Sequence, residues 1–144
     1  MVKKLICGVL AGALVALALF FLWPMSFGDV VSEEKELSVV YMDTDMRDIR
    51  RYQFQPDSEE FEQIVQVLEG YSFHRSFRTV LSGSGMEGND AGYWLHLYSG
   101  TDGGIDCGGT GEVMVDNRVY RMGYFGNGAA LDMMEEILAV LDGE

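Results

Sequence analysis

The chain has 144 residues, with 23 acidic side chains against 10 basic ones and a formal net charge of −13. That balance excludes nucleic acid as an electrostatic partner and makes anionic lipid a poor one. Two cysteines and two histidines, none in a Cys-x-x-Cys or His-Glu-x-x-His arrangement, give neither a disulfide framework nor a zinc motif.

The uncharged run at residues 5–23 dominates the chain. Lys3 and Lys4 precede it, and Asp29, Glu33, Glu34 and Glu36 follow. As a helix rising about 1.5 Å per residue it would be roughly 28 Å long, close to the ~30 Å hydrocarbon core of a bilayer. The expectation is a cytoplasmic stretch at 1–4 and a single-pass transmembrane anchor at 5–23. Everything beyond would then be extracytoplasmic at the cell membrane, since basic flanks stay inside.

A cleavable secretory signal is the competing reading, with Ser26 and Gly28 as the small residues ahead of a cut before Asp29; the product would be secreted. Signal apolar regions usually run about 7 to 15 residues, whereas this run is longer and ends in Phe20, Phe21, Leu22 and Trp23. Gly8, Gly12 and Ala16 are four apart and line one helix face, a pattern that suits a homodimer through the span. Cys7 follows Lys4, Leu5 and Ile6, so it lacks the context of a lipoprotein cysteine.

All acidic residues lie at or beyond Asp29, together with eight of the basic ones, so that part carries a formal charge of −15. Residues 24–36 read as a charged stalk and 37–144 as one α+β domain. Alternation over Leu37, Val39 and Tyr41 predicts a strand, turned by Asp43, Thr44 and Asp45 into a second one near 50–55. Asp57, with Glu60 three residues on, reads as a capping box for a helix ending at Gly70, whose stripe is Phe61, Ile64, Val65 and Leu68.

Residues 71–81 are rich in β-forming side chains, with Phe73 and Phe77 on one parity. A further strand is expected at 93–98, another around Ile105 and Cys107, and a hairpin over 112–122 turning at Asp116 and Asn117. Asn127 would cap a last helix with Leu131, Met134, Ile137, Leu138 and Leu141 as its stripe. Strands, a helix, more strands and a helix predict an antiparallel sheet with both soluble helices packed on one face.

Candidate chemistry is sparse. His74, His96 and Cys107 are the residues a thiol or metal site would need, at spacings that match no motif. Asp43, Asp45 and Asp48 are a candidate cation turn. They depart from the calcium-loop pattern, since Arg47, Asp48 and Phe54 stand at the fifth, sixth and twelfth positions counted from Asp43. Asp102 and Asp106 form a second acidic turn of the same kind.

Gly103, Gly104, Gly108, Gly109 and Gly111 read as loop or bulge glycines, because a strand rather than a helix follows them. Ser84 lacks the strand-to-helix context of a nucleophile elbow. No catalytic or cofactor motif emerges, which points away from an enzyme. Trp94, Tyr98 and Tyr120 are the candidate binding patch, an aromatic platform for a partner.

In layout the chain resembles small uncharacterised membrane-anchored exported proteins of Gram-positive bacteria: a basic start, one span, an acidic stalk and an α+β domain ending in a helix. The resemblance is one of architecture and brings no functional residue with it. The reading it accompanies is a non-enzymatic domain binding a protein or peptide at the cell surface. The alternative is a domain sensing a small ligand or a divalent cation.

Overall fold

A computed structural model describes residues 2–31, 34–81, 85–86, 91–100, 103–109, 111–124 and 128–143. Expectations resting on Ser84, Asp102 and Asn127 lie outside these residues. Helix α1, Val2–Leu22, comes first and leads into β1, Met25–Ser26, and a single 3₁₀ turn, Phe27–Asp29. Strands β2 (Leu37–Asp43) and β3 (Ile49–Phe54) precede α2 (Glu59–Glu69); β4 (Ser72–His74) and α3 (Phe77–Leu81) follow. Then come β5 (Tyr93–Ser99), β6 (Gly103–Cys107), β7 (Glu112–Val115), β8 (Arg118–Met122) and α4 (Ala129–Asp142).

The strands form one eight-stranded antiparallel sheet in the order β1-β4-β8-β7-β6-β5-β2-β3. From β2 to β8 each strand bonds to a sequence neighbour, apart from the join of β2 to β5 and the return of β4 to β8. The β7-β8 hairpin turns where expected, with Asp116 and Asn117 at φ 49° and 63°, the left-handed pair a two-residue turn requires.

Directly paired residues share a sheet face. One face therefore carries Val39, Leu97, Ile105 and Val115 in register, with Leu95, Cys107 and Val113 beside them. All seven are buried, in one cluster with Phe61, Ile64 and Leu68 of α2 and Ala130, Met133, Met134 and Ile137 of α4. The α+β class and the two helices on one face thus follow from their apolar stripes, which have nowhere else to be buried.

Four local expectations change. The cap of α2 is Ser58, whose Oγ accepts from the Phe61 amide at 3.2 Å; Asp57 sits before it with φ 75°. Within residues 24–36, read as a stalk, β1 pairs with β4 and Phe27 and Val31 are buried in the main core. The β-rich stretch 71–81 gives only three strand residues before α3, because Ser76 and Thr79 bond reciprocally through backbone and hydroxyl groups and so start a helical turn. Gly104 belongs to a strand instead of a loop.

Helix α1 has apolar side chains exposed around it, among them Val9, Leu10, Leu14, Val15, Leu17 and Leu19. Its described side chains, at residues 6–22, amount to about 25 Å of helix. Among the described residues no helix is long and apolar enough to cross a membrane. The span expected at 5–23 therefore coincides with α1, although over its described residues that helix is not long and apolar enough to cross a membrane. Gly8 and Gly12 have nothing within 4 Å of where a Cβ would stand, so at these two positions the helix meets no other described part of the chain.

Candidate functional site

Among the described residues, helical cover on the second face of the sheet lies at one end. In register across it run Val40, His96, Asp106, Met114 and Val119. Near β8, Val119 is buried yet outside the main core, and Thr79 of α3 donates its hydroxyl to the Val119 carbonyl. Helix α3 thus lies over this end. Toward β6, β5, β2 and β3 no helix among the described residues covers the face.

On that bare part, Trp94, His96 and Tyr98 occupy alternate positions of β5 and so project from the same side. Their rings stack in series, Trp94 on His96 at 6.5 Å and 18° and His96 on Tyr98 at 6.4 Å and 8°. Strand β6 and the residue that follows it set this arrangement. A Cβ on Gly108 would fall 2.2 Å from Cε3 of Trp94, and one on Gly104 would fall 3.2 Å from Cδ1 of Tyr98.

The two glycines thus leave the sheet surface open for the outer rings to lie on it. Between them, Asp106 Oδ1 accepts from Nδ1 of His96 at 2.6 Å, which fixes the imidazole and leaves Nε2 as its other polar atom. Partial burial, then the Asp106 carboxylate, raise the pKa of the Tyr98 phenol, so Tyr98 remains a hydrogen-bond donor at neutral pH.

Beside this ladder runs a groove of about 600 Å³ lined by Ser38, Val40, Arg51, Tyr52, Gln53, His96 and Tyr98. It ends at β3, the edge strand. The groove offers hydroxyl, amide, imidazole and guanidinium groups around aromatic surface, a set that can hold a peptide by stacking and by hydrogen bonds.

The structure brings together Trp94 and Tyr98 of the expected patch and separates Tyr120 from them. Tyr120 pairs with Val113 on the helix-covered face, where its ring meets Phe73 edge-on at 5.0 Å. The sequence reading did not join His96, Asp106 and the two glycines to this patch, giving His96 to a thiol or metal site, Asp106 to an acidic turn and the glycines to loops or bulges. Their signal was the alternation Gly104-x-Asp106-x-Gly108, running through β6 and one residue past it, opposite Trp94-x-His96-x-Tyr98 in β5.

The other candidates have structural occupations. Asp43 Oδ1 accepts from the amides of Arg47 at 2.7 Å and Asp48 at 3.1 Å, which closes the β2-β3 turn. Asp45 pairs with Arg47 at 3.9 Å and Asp48 with Arg50 at 3.3 Å. Among the described residues no group of three His, Cys, Asp or Glu side chains is placed to hold a metal ion.

Cys107 is fully buried on the helix-covered face, and burial drives its thiol pKa far up, which removes the thiolate that nucleophilic chemistry needs. Its neighbour in register is Leu95, while His96 and Asp106 project from the opposite face. His74 is buried too, stacked on Tyr124 at 4.7 Å. No family model, no curated protein and no solved structure matches the chain.

Proposed function

We propose that this protein is a membrane-anchored, extracytoplasmic, non-enzymatic domain that binds a protein or peptide partner on the open face of its sheet. The observation that carries the binding reading is the Trp94-His96-Tyr98 ladder laid over Gly108, Asp106 and Gly104, with only β2 between it and the edge strand β3. A stacked aromatic row on an uncovered face is costly to leave wet and is well suited to a partner's side chain. Arg51 adds a cation in an otherwise acidic domain, so a carboxylate or a carbonyl of the partner would be received there.

The anchor reading rests on the apolar run at 5–23, of which α1 covers all but the last residue, and on the lysines before it. Retention of the segment is supported from the domain side. A cut before Asp29 would remove β1 and Phe27, which is fully buried and packs on Phe73 at 4.6 Å. Engagement of Asp43, Asp45 and Asp48 within their own turn favours partner binding over the cation-sensing alternative.

A photo-crosslinking residue placed at Gln53 in the groove, and in a separate variant at Gln63 on the exposed side of α2, tests the binding face in cells expressing the full chain. Discrete adducts from position 53, absent from 63 and lost with Tyr98→Ala, are expected. Equal labelling from both positions would sink the assignment. The location is tested by N-terminal sequencing of the membrane fraction and by protease access to a C-terminal tag. A soluble product starting near Asp29 would end the anchor reading.

A further inference from the structure

Leu81 and Phe77 are the two most exposed large hydrophobic residues described, at 79% and 68%, and Val80 beside them is 54% exposed. Three of the five residues of α3 thus offer apolar surface to solvent, on a part of the chain that carries a large acidic excess. The helix is nonetheless held in place. Thr79 donates to the Val119 carbonyl, and Arg78 pairs with Glu112 of β7 at 2.7 Å.

What lies next to that surface is the end of α1. The Phe77 and Phe21 rings are 4.8 Å apart, the Arg75 guanidinium stands 4.8 Å from the centre of the Phe20 ring, and the Tyr124 hydroxyl donates to the Leu22 carbonyl at 2.9 Å. Only Trp23 and Pro24 separate α1 from β1. Strand β1 pairs Met25 with Phe73 of β4, and β4 runs on through Arg75 and Ser76 into α3. No linker lets the domain swing away from the helix end.

We infer that α3 is a second membrane contact: Phe77, Val80 and Leu81 insert into the interfacial layer of the same bilayer that holds α1. This rests on the anchor reading above. If α1 is embedded to its last turn, Phe77 sits within 4.8 Å of Phe21, a residue about 1.5 Å short of the helix end at Leu22. The apolar side chains of α3 then have only lipid to meet, while the Arg75 guanidinium, held over the Phe20 ring, lies within reach of the headgroups. The exposed Trp23 suits the same layer. Apolar burial drives this contact, so the occupant is the lipid surface itself and no particular anionic headgroup is required.

Full-length protein in phosphatidylcholine proteoliposomes tests this with an environment-sensitive fluorophore on a single introduced thiol, in a Cys7→Ser background where Cys107 is buried. Val80→Cys reports on α3, Leu14→Cys on α1 and Gln63→Cys on the far side of the domain. The expected result is loss of emission at 80 with nitroxides near the headgroups, loss at 14 with nitroxides deep in the acyl chains, and no loss at 63.

Quenching at 14 without quenching at 80 overturns the α3 contact and leaves the anchor standing. No quenching at 14 overturns the anchor, and the inference falls with it. A blue-shifted but unquenched label at 80 would mean that protein, a second copy or another partner, covers α3 instead of lipid, which also overturns the proposal.

Discussion

Gly108 lies so close beneath the indole of Trp94 that a Cβ there would stand 2.2 Å from Cε3 and 2.4 Å from Cζ3. The ring belongs to the strand before it, so the tightest constraint on the candidate site sits outside the aromatic residues that form it. Gly108→Ala must push the indole off the sheet, and the neighbouring His96 ring loses its Trp94 partner in the stack. Overpacking of this kind costs about 1 to 3 kcal/mol. The Trp94 emission maximum is expected to shift to longer wavelength with only a modest fall in Tm. An unchanged spectrum would count against the stacked geometry.

The carboxylate of Asp106 holds the middle ring of that stack. Asp106→Ala removes the acceptor for His96 Nδ1 and frees the imidazole to rotate. The pair is partly buried, with side-chain exposures of 22% and 17%, so the stability loss is set at about 1 kcal/mol, below the value for a fully buried charged pair. Crosslinking from position 53 should fall more than stability does. A binding loss no larger than the loss of folded protein would mean that Asp106 serves only the fold.

Phe27 distinguishes a stalk from a structural segment. Its ring is fully buried between the sheet and α2, and truncating a buried Phe to Ala costs about 3 to 5 kcal/mol. Phe27→Ala should therefore unfold the domain at a much lower temperature in detergent-solubilised protein, followed by near-ultraviolet circular dichroism. A flexible stalk residue would leave Tm within a degree or two of the parent.

Ser58 and Asp57 separate the sequence reading of the α2 start from the observed one. Ser58→Ala removes the Oγ acceptor of the Phe61 amide, and loss of such a cap costs about 1 kcal/mol. Asp57 holds φ 75°, a conformation that glycine adopts freely, so Asp57→Gly should be neutral or slightly stabilising. The opposite ranking of the two variants in thermal melts would restore Asp57 as the cap.

These cases show where the sequence was legible. The α2 and α4 stripes and the Asp116-Asn117 turn are local signals, each contained within one element, and they fix the α+β class. Strand β1, at two residues, is too short to show a period, and its partner Phe73 is distant in the chain. Strand β8 buries both Val119 and Met122 on opposite faces, because α3 covers the side that the long helices do not. Alternation therefore could not tell which way Tyr120 points. The site's glycines read as loop because their role is to make room for side chains of a neighbouring strand, a relation that depends on register.

His74 gives the fold a dependence on acidity. Its side chain is buried against the Tyr124 ring, and burial first, then the nearby Arg121 charge, lowers its pKa from the ordinary 6.5. The unfolded chain therefore binds this proton at a higher pH than the folded one does. The stability contributed by neutral His74 is fully present above about pH 6.5 and is lost as pH falls from there through the folded value. Tm should decline between about pH 7 and pH 5.5, and His74→Gln, which has no proton to gain in this range, should flatten that slope while lowering Tm at neutral pH. A wild-type profile that stays level across this window, or one that His74→Gln leaves unchanged, would show that His74 does not carry the acid sensitivity.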